Sequence, residues 1–179
     1  MMKGMYPQVP RGLVSEEEFL SLPESHERIE LIDGEVILGP SPTPRHQLVV
    51  SRLCRDLGAW ADANPPTFVG LSPLDVRIGE CRIVQPDVFL VLGGVADLDE
   101  TVLAVPELIV EVMSTNRGHD RVTKRFIYAQ AGVKEYWIVD PLARRIEVCR
   151  GLDSIDEHTD VVRSAVAAGL EISLADLFR

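Results

Sequence analysis

The chain has 179 residues, of which 46% are hydrophobic and 26% charged, and its formal net charge is −10. This length and mixture are typical of a soluble protein with a real core, and we expect a single domain over residues 1–179. The negative charge argues against a protein that grips nucleic acid through a broad basic face, but not against phosphate contact at a bound cation.

Several features bear on where the protein works. No apolar run approaches the ~20 residues that cross a bilayer. The first residues, MMKGMYPQVPRGLV, contain no apolar region of the kind that an export signal needs. The three cysteines are scattered and lack metal-type spacing, which indicates reduced thiols. We therefore expect a cytoplasmic protein without membrane contact.

The first third of the chain predicts two helices around a hairpin. Ser15 and the acidic residues after it predict an N-cap and a short helix over 15–22. In RIELIDGEVIL (28–38), two apolar runs flank Asp33-Gly34, a strong signal for a tight β-hairpin turn. Residues 45–63 show the apolar spacing of a helix with one packed face. Its apolar residues are Leu48, Val49, Leu53, Leu57 and Trp60.

The middle of the chain predicts strands. LDVRI (74–78) and RIVQPDVFLVL (82–92) should form a second hairpin, with Val88 to Leu92 as a buried strand. PELIVEVMS (106–114) is dense in β-branched residues and predicts another strand.

The rest of the chain predicts a helix followed by a hairpin. Residues 118–132 should form the helix, ended by Gly132, and KEYWIVD and RRIEVCR should pair across Asp140-Pro141. The tail should add a short strand and a helical turn. This order predicts an α/β domain with a mixed β-sheet flanked by α-helices, with its core at about 15–150 and a C-terminal extension at 151–179.

Glu111 stands inside an apolar strand. Strand alternation puts Ile109 and Met113 on the same face as Glu111, with Val110 and Val112 on the other face. An ionised carboxylate on a buried face is costly unless a cation or hydrogen-bond donors meet it. The alternative is an edge strand with Glu111 in water, and we favour burial at a functional site.

Asp87, directly before a buried strand, has a simple interpretation as a turn residue after Pro86. On a strand next to Glu111, however, it would repel that carboxylate unless a cation lay between them. Mg²⁺ and similar hard cations prefer such oxygen ligands. Glu30, inside RIELIDGE, is either a further member of this site or simply a residue on a solvent-facing side of its strand.

Three other positions allow two interpretations each. Lys124 either pairs with Asp120 on a solvated helix face or points back at the carboxylates, and its spacing favours neither. His46 either contacts phosphate or is a surface or capping histidine, which we favour. Tyr136 and Trp137 either stack on a base or belong to the core, which we favour.

The order of these residues resembles a known group of enzymes. Pro86-Asp87, Glu111 in a later strand and then a lysine resemble the PD-(D/E)XK nuclease superfamily. More narrowly, the chain resembles the Uma-two family of restriction endonuclease-like proteins over about 15–150. The blocks that resemble it, in order, are ELIDGE, PSPTPRHQ, PLDVRI, VQPDVFLV, PELIVEVMS and AGVKEYWIVDP.

The resemblance implies a restriction-endonuclease-like core and a site made of Asp87, Glu111, Glu30 and a lysine. The lysine expected two residues after Glu111 is Met113, and Lys124 on the next helix takes its place. Asp87 and Glu111 would hold Mg²⁺ or Mn²⁺ with the carbonyl of Val112, while Lys124 assists a water.

The function implied is that of a metal-dependent endonuclease that hydrolyses phosphodiester bonds in nucleic acid, with DNA as the expected partner. A homodimer is expected, since cutting both strands of a duplex needs two sites or two visits. The alternative is a nuclease fold kept as a weakly active or inactive binding or assembly module, which the acidic composition and Met113 favour.

Overall fold

The computed structural model describes residues 10, 12–23, 27–114 and 118–179, with only the backbone described at 118–121. Its elements, in chain order, are α1 (Glu16–Leu20), β1 (Ile29–Ile32), β2 (Glu35–Leu38), α2 (Pro44–Ala63), β3 (Phe68–Leu71), β4 (Asp75–Gly79), β5 (Arg82–Val84), β6 (Val88–Val91), β7 (Val102–Leu103), β8 (Leu108–Val112), α3 (Gly118–Ala131), β9 (Glu135–Asp140), β10 (Arg145–Arg150), β11 (Ser154–His158), β12 (Val161–Arg163), β13 (Glu171–Ser173) and α4 (Leu174–Leu177). Within the described part of the chain, no helix is both long enough and apolar enough to cross a membrane.

Local signals set the N-terminal elements. Ser15 and Glu18 form a reciprocal capping box that starts α1, as predicted. Asp33 and Gly34 both have positive φ, 52° and 83°, and join β1 to β2 in the predicted hairpin. Positive φ at both central residues is the conformation that a tight two-residue hairpin turn requires.

Helix α2 forms as predicted and packs one face on the core. Thr43 caps the helix, and Pro44 occupies its first turn. Proline is tolerated there because a backbone N–H at that position would have no partner within the helix. The buried apolar residues of the helix are Val49, Leu53, Leu57 and Ala61. Leu48 was predicted to join this face, but it is 49% exposed, because it lies to one side of the stripe that its neighbours form.

The fold class is confirmed, and the strands divide among three sheets. One sheet has the order β2-β1-β5-β4-β7, a second has β11-β10-β9-β8-β6-β3, and a third pairs β12 with β13. The first two sheets are mixed, with parallel pairs β4–β7 and β8–β9. The predicted hairpins β4–β5 and β9–β10 are present.

The predicted run 82–92 is divided between two sheets. Arg82–Val84 form β5 of the five-stranded sheet, and Val88–Val91 form β6 of the six-stranded sheet. Asp87 therefore stands where the chain passes from one sheet to the other. This passage brings β1 of the first sheet near β6 and β8 of the second.

The alternation predicted for β8 is confirmed. Val110 and Val112 face a core cluster that includes the buried side of α2, whereas Ile109 and Met113 face a second cluster that includes Ile127 of α3. Helix α3 ends before Gly132, whose φ of 82° suits a helix end, as predicted.

Two further predictions concern the C-terminal half. Tyr136 and Trp137 are 4% and 0% exposed, so the prediction that they belong to the core is confirmed. The tail is richer than the predicted short strand and helical turn, since it contains β11, β12 and β13 before α4. These strands pair locally, β11 with β10 and β12 with β13.

Candidate functional site

Asp87 and Glu111 lie side by side on neighbouring strands. Strands β6 and β8 are antiparallel, with Val88 opposite Val110. One step further along the register, Asp87 therefore lies opposite Glu111, and in an antiparallel pair such residues share a face. Both are buried, at 4% and 6% exposure. The sequence predicted this adjacency and the burial of Glu111.

Three neighbours hold the carboxylate of Asp87. Its Oδ2 accepts hydrogen bonds from the backbone N–H of Val112 at 2.8 Å and from Nε2 of His46 at 3.1 Å. Its Oδ1 accepts from Nη1 of Arg28 at 2.9 Å. These bonds fix the orientation of the carboxylate and offset much of the cost of its burial.

His46 corrects the sequence interpretation. We favoured a surface or capping histidine, but His46 is 8% exposed and bonds Asp87 through its ring. The residue that caps α2 is Thr43, whose hydroxyl accepts from the backbone N–H of His46. The first turn of α2 lies against the start of β6, so the imidazole is enclosed rather than solvated.

Glu111 is surrounded by donors. Its Oε1 accepts from Nζ of Lys124 at 2.7 Å and from the hydroxyl of Tyr128 at 2.9 Å, and its Oε2 accepts from Nη2 of Arg28 at 3.1 Å. Burial by itself would raise the pKa of Glu111, but the charges of Lys124 and Arg28 outweigh it and hold the pKa well below its usual range. Glu111 is therefore ionised over the physiological range.

Lys124 reaches the carboxylates from α3. Its side chain is 2% exposed, and its Nζ lies 2.7 Å from Glu111 and 3.0 Å from Glu30. The interpretation of a solvated helix face is wrong, because the helix turns this residue toward the sheet. The side chain of Asp120, its proposed partner there, lies outside the described residues.

Glu30 also belongs to this group. It is 5% exposed, and its Oε1 accepts from the backbone N–H of Gln85 at 3.0 Å as well as from Lys124 and Arg28. A solvent-facing Glu30 is wrong, since all four residues of β1 are buried. Burial opposes its charge, yet Lys124 and Arg28 lower its pKa.

Sequence reasoning missed Arg28, which contacts all three carboxylates. Its Nη1 lies 2.9 Å from Asp87, and its Nη2 lies 3.1 Å from both Glu30 and Glu111. Burial opposes the charge, but the three carboxylates more than offset it and raise the pKa of Arg28. A signal existed: Arg28 precedes Glu30 by two residues, the spacing that places strand side chains on one face.

Tyr128 was also missed, although it follows Lys124 by four residues on α3, so both lie on one helix face. It is fully buried, and its ring meets that of Tyr136 edge-on at a centroid distance of 4.9 Å. Burial, and then the charge of Glu111, raises the pKa of Tyr128 well above its usual value. The hydroxyl therefore stays protonated and donates to Glu111.

An adjoining cavity of about 710 Å³ gives access to Asp87. It is lined by Arg28, His46 and Asp87 of the site, together with Ser41 before α2 and Ser72 after β3. Glu111 does not line this cavity, but Arg28, which is bonded to Glu111, does. A substrate in this cavity would meet Asp87 and Arg28 first.

The carboxylate oxygens of the site suit a hard divalent cation. Among residues 27–114 and 122–179 no group of three or more His, Cys, Asp or Glu side chains is arranged to hold a metal ion. Mg²⁺, however, commonly uses one or two carboxylates and takes its other ligands from water and phosphate. Asp87 Oδ1 and Glu111 Oε2 fit that requirement, and Arg28 is bonded to both oxygens. The prediction of a Val112 carbonyl ligand stays a prediction.

Comparisons with known proteins agree with this architecture. A family model named Uma2, described as "Putative restriction endonuclease", matches residues 16–175. The fold is similar to that of a solved protein described as "a putative nuclease belonging to DUF820" from Anabaena variabilis, with a TM-score of 0.79. The alignment covers 92% of this chain and 97% of that chain at 22% identity, which confirms the predicted type of fold. None of the curated proteins compared with the chain matches it.

Proposed function

Because the chain belongs to the Uma2 family, we propose that it is a metal-dependent nuclease that hydrolyses phosphodiester bonds in nucleic acid. The observation that supports this most is the pairing of Asp87 and Glu111 across β6 and β8, with Lys124 against Glu111 and a cavity beside Asp87. Two adjacent buried carboxylates do not stabilise an apolar core, whereas a divalent cation that assists phosphodiester hydrolysis needs carboxylate ligands of this kind.

Asp87 and Glu111 would hold the cation, with Glu30 nearby and the Val112 carbonyl as a third protein ligand. A bound Mg²⁺ or Mn²⁺ supplies Lewis acidity toward a phosphate oxygen and lowers the pKa of a bound water. The N–H of Val112 and the ring of His46 hold Asp87 Oδ2, which leaves Oδ1 bonded to Arg28. The chain thus pre-orients the two carboxylates before any ligand binds.

Lys124 would serve the reaction as a donor. Its Nζ donates to Glu111 and Glu30, and a group in that role suits the stabilisation of phosphate charge better than the removal of a proton. Tyr128 acts through Glu111: its hydroxyl bond at 2.9 Å restricts the rotation of the carboxylate. It is therefore a positioning residue rather than a group that meets substrate.

Cleavage assays test this proposal. Purified wild-type protein should nick supercoiled plasmid or cut single-stranded DNA or RNA with Mg²⁺ or Mn²⁺ and lose this activity in EDTA, whereas Asp87→Asn should be inactive. Asp62→Asn is a matched control, because Asp62 is exposed at the opposite end of α2 from His46. Cleavage by Asp87→Asn at the wild-type rate would refute the assignment, and a wild type that cuts none of these substrates would favour a binding module.

Two parts of the proposal concern partners. We propose DNA as the substrate rather than RNA. Comparing the cleavage of plasmid with that of RNA in the same assay distinguishes the two. A homodimer would supply two such sites to a duplex. Light scattering at high protein concentration tests this, and a monomer under those conditions would contradict it.

A further inference from the structure

The guanidinium of Arg28 bridges the two carboxylates of the site. Nη1 bonds Asp87 Oδ1 at 2.9 Å, and Nη2 bonds Glu111 Oε2 at 3.1 Å. The side chain is 13% exposed and belongs to the residue before β1, in a different sheet from β6 and β8. The tertiary packing of the two sheets therefore inserts a cation between Asp87 and Glu111.

The two bridged oxygens differ from the other oxygens of these carboxylates. Asp87 Oδ2 already accepts from Val112 and His46, and Glu111 Oε1 already accepts from Lys124 and Tyr128. Among the residues that the structure describes, Arg28 is the donor to Asp87 Oδ1 and to Glu111 Oε2. Removal of Arg28 would therefore free both of these oxygens for a ligand, whereas Asp87 Oδ2 and Glu111 Oε1 would keep their other donors.

We propose that Arg28 is a competitor of the divalent cation, bound between Asp87 and Glu111 until the cation displaces it toward the adjoining cavity. This inference rests on the proposed metal site. Together, the three carboxylates, Arg28 and Lys124 carry one negative charge. A divalent cation would turn this into one positive charge with Arg28 in place, and into neutrality with Arg28 gone, so electrostatics couples the two events.

The surroundings allow Arg28 to leave. It lines the cavity of about 710 Å³ together with His46 and Asp87, and its Nε is buried without a hydrogen-bond partner among the described residues. In the cavity the planar guanidinium would meet the phosphate of a substrate, which it matches with two parallel hydrogen bonds. Arg28 would thus exchange carboxylates for phosphate as metal and substrate bind.

Calorimetric titration with Mn²⁺ alone tests the competition. Arg28→Met keeps the aliphatic stem and removes the charge. We therefore expect the variant to bind Mn²⁺ at least about tenfold more tightly than the wild type, which corresponds to about 1.4 kcal/mol of binding free energy. Without added metal it should melt at a lower temperature, since three buried carboxylates then share one fewer cation. Arg77→Met is the matched control, because Arg77 is 47% exposed and paired with Glu16; it should bind Mn²⁺ like the wild type.

The variant Asp87→Asn tests the metal site separately from the competition by Arg28. If it abolishes Mn²⁺ binding while Arg28→Met binds like the wild type or more weakly, the metal site stands and the competition is overturned. If neither the wild type nor Arg28→Met binds Mn²⁺, both the metal site and the competition are overturned.

A measurement on the wild type covers the case in which Arg28→Met does not fold. The Nε–H of Arg28 is buried, so its NMR signal should exchange slowly with water without metal. Saturating Mg²⁺ should shift this signal and speed its exchange as the side chain moves into the cavity. If the NMR signal of the Val112 amide shows that Mg²⁺ has bound to saturation while the Arg28 signal is unchanged, the proposal is overturned.

Discussion

Glu111 and Glu135 are buried carboxylates on neighbouring strands of one sheet, and they have opposite surroundings. Glu111, on β8, is met by two cations and a tyrosine. Glu135, on β9, is 0% exposed and accepts from the indole N–H of Trp137 at 2.6 Å and the backbone N–H of Ala165 at 2.8 Å. Arg150, one-third exposed, lies 3.7 Å from it.

The difference concerns what can be exchanged at each site. Trp137 and Ala165 are neutral donors fixed by the sheet and by the chain after β12, so Glu135 ties the C-terminal segment to the sheet. Arg28 is a long cation that lines a cavity, and the exchange proposed above would replace its bond to Glu111 with a bond to a divalent cation. Burial of a carboxylate does not by itself indicate a site, and what distinguishes Glu111 is a counter-charge, Arg28, that lines a cavity.

Activity should give the largest contrast. Glu111→Gln should lower metal-dependent cleavage by about 1,000-fold, the scale for losing one electrostatic group of an active site. Glu135→Gln should keep the wild-type rate per folded molecule, because Glu135 faces the opposite core. Initial rates of plasmid nicking, corrected for the folded fraction by circular dichroism, measure both. Equal loss in the two variants would break the comparison.

Removing a cation should give the next largest effect. Lys124→Met leaves Glu30 and Glu111 short of a buried partner and should destabilise the protein by about 3 kcal/mol. Lys134→Met is the control, since Lys134 is 63% exposed and 3.7 Å from Glu107, and should change stability by less than about 0.5 kcal/mol. Urea unfolding measures both, and a loss below about 1 kcal/mol for Lys124→Met would show that the buried pairs contribute little.

Acid should reduce the contribution of Glu111 to the stability of the protein. The pKa of Glu111 lies below its ordinary value of 4.5, so the unfolded chain binds the proton more readily than the folded one. Its stabilising contribution is therefore complete above pH 4.5 and is lost as the pH falls through the folded-state pKa. The stability difference between wild type and Glu111→Gln should shrink by about 2 kcal/mol as acid is added. A difference that is constant with pH in urea titrations would contradict this.

His46 should give the smallest effect. His46→Gln removes one of three donors to Asp87 while Val112 and Arg28 remain, so stability should fall by about 1 kcal/mol. Affinity for Mn²⁺ should fall by roughly tenfold, the usual cost of losing a residue that orients a ligand. His158→Gln, on β11, is the control and should leave Mn²⁺ affinity unchanged. An unaltered affinity in His46→Gln would remove His46 from the support of the site.

The sequence by itself determined the local structure and half of the site. Ser15, Asp33-Gly34 and Gly132 predicted a cap, a turn and a helix end, because these depend on backbone sterics and hydrogen bonds within a few residues. Alternation along β8 predicted that Glu111 is buried. The sequence also raised the possibility that Asp87 lies on a strand next to Glu111, and the antiparallel pairing of β6 with β8 places it there.

Only the tertiary structure decided what meets these carboxylates. Arg28 and Asp87 are 59 residues apart, and Lys124 and Glu30 are 94 apart. Such pairs form because two sheets and α3 converge on one point, and no local preference of an arginine or a lysine specifies that. The physical reason is desolvation. A lysine or histidine side chain in water has no single defined partner, and it acquires one only when packing removes the water around it.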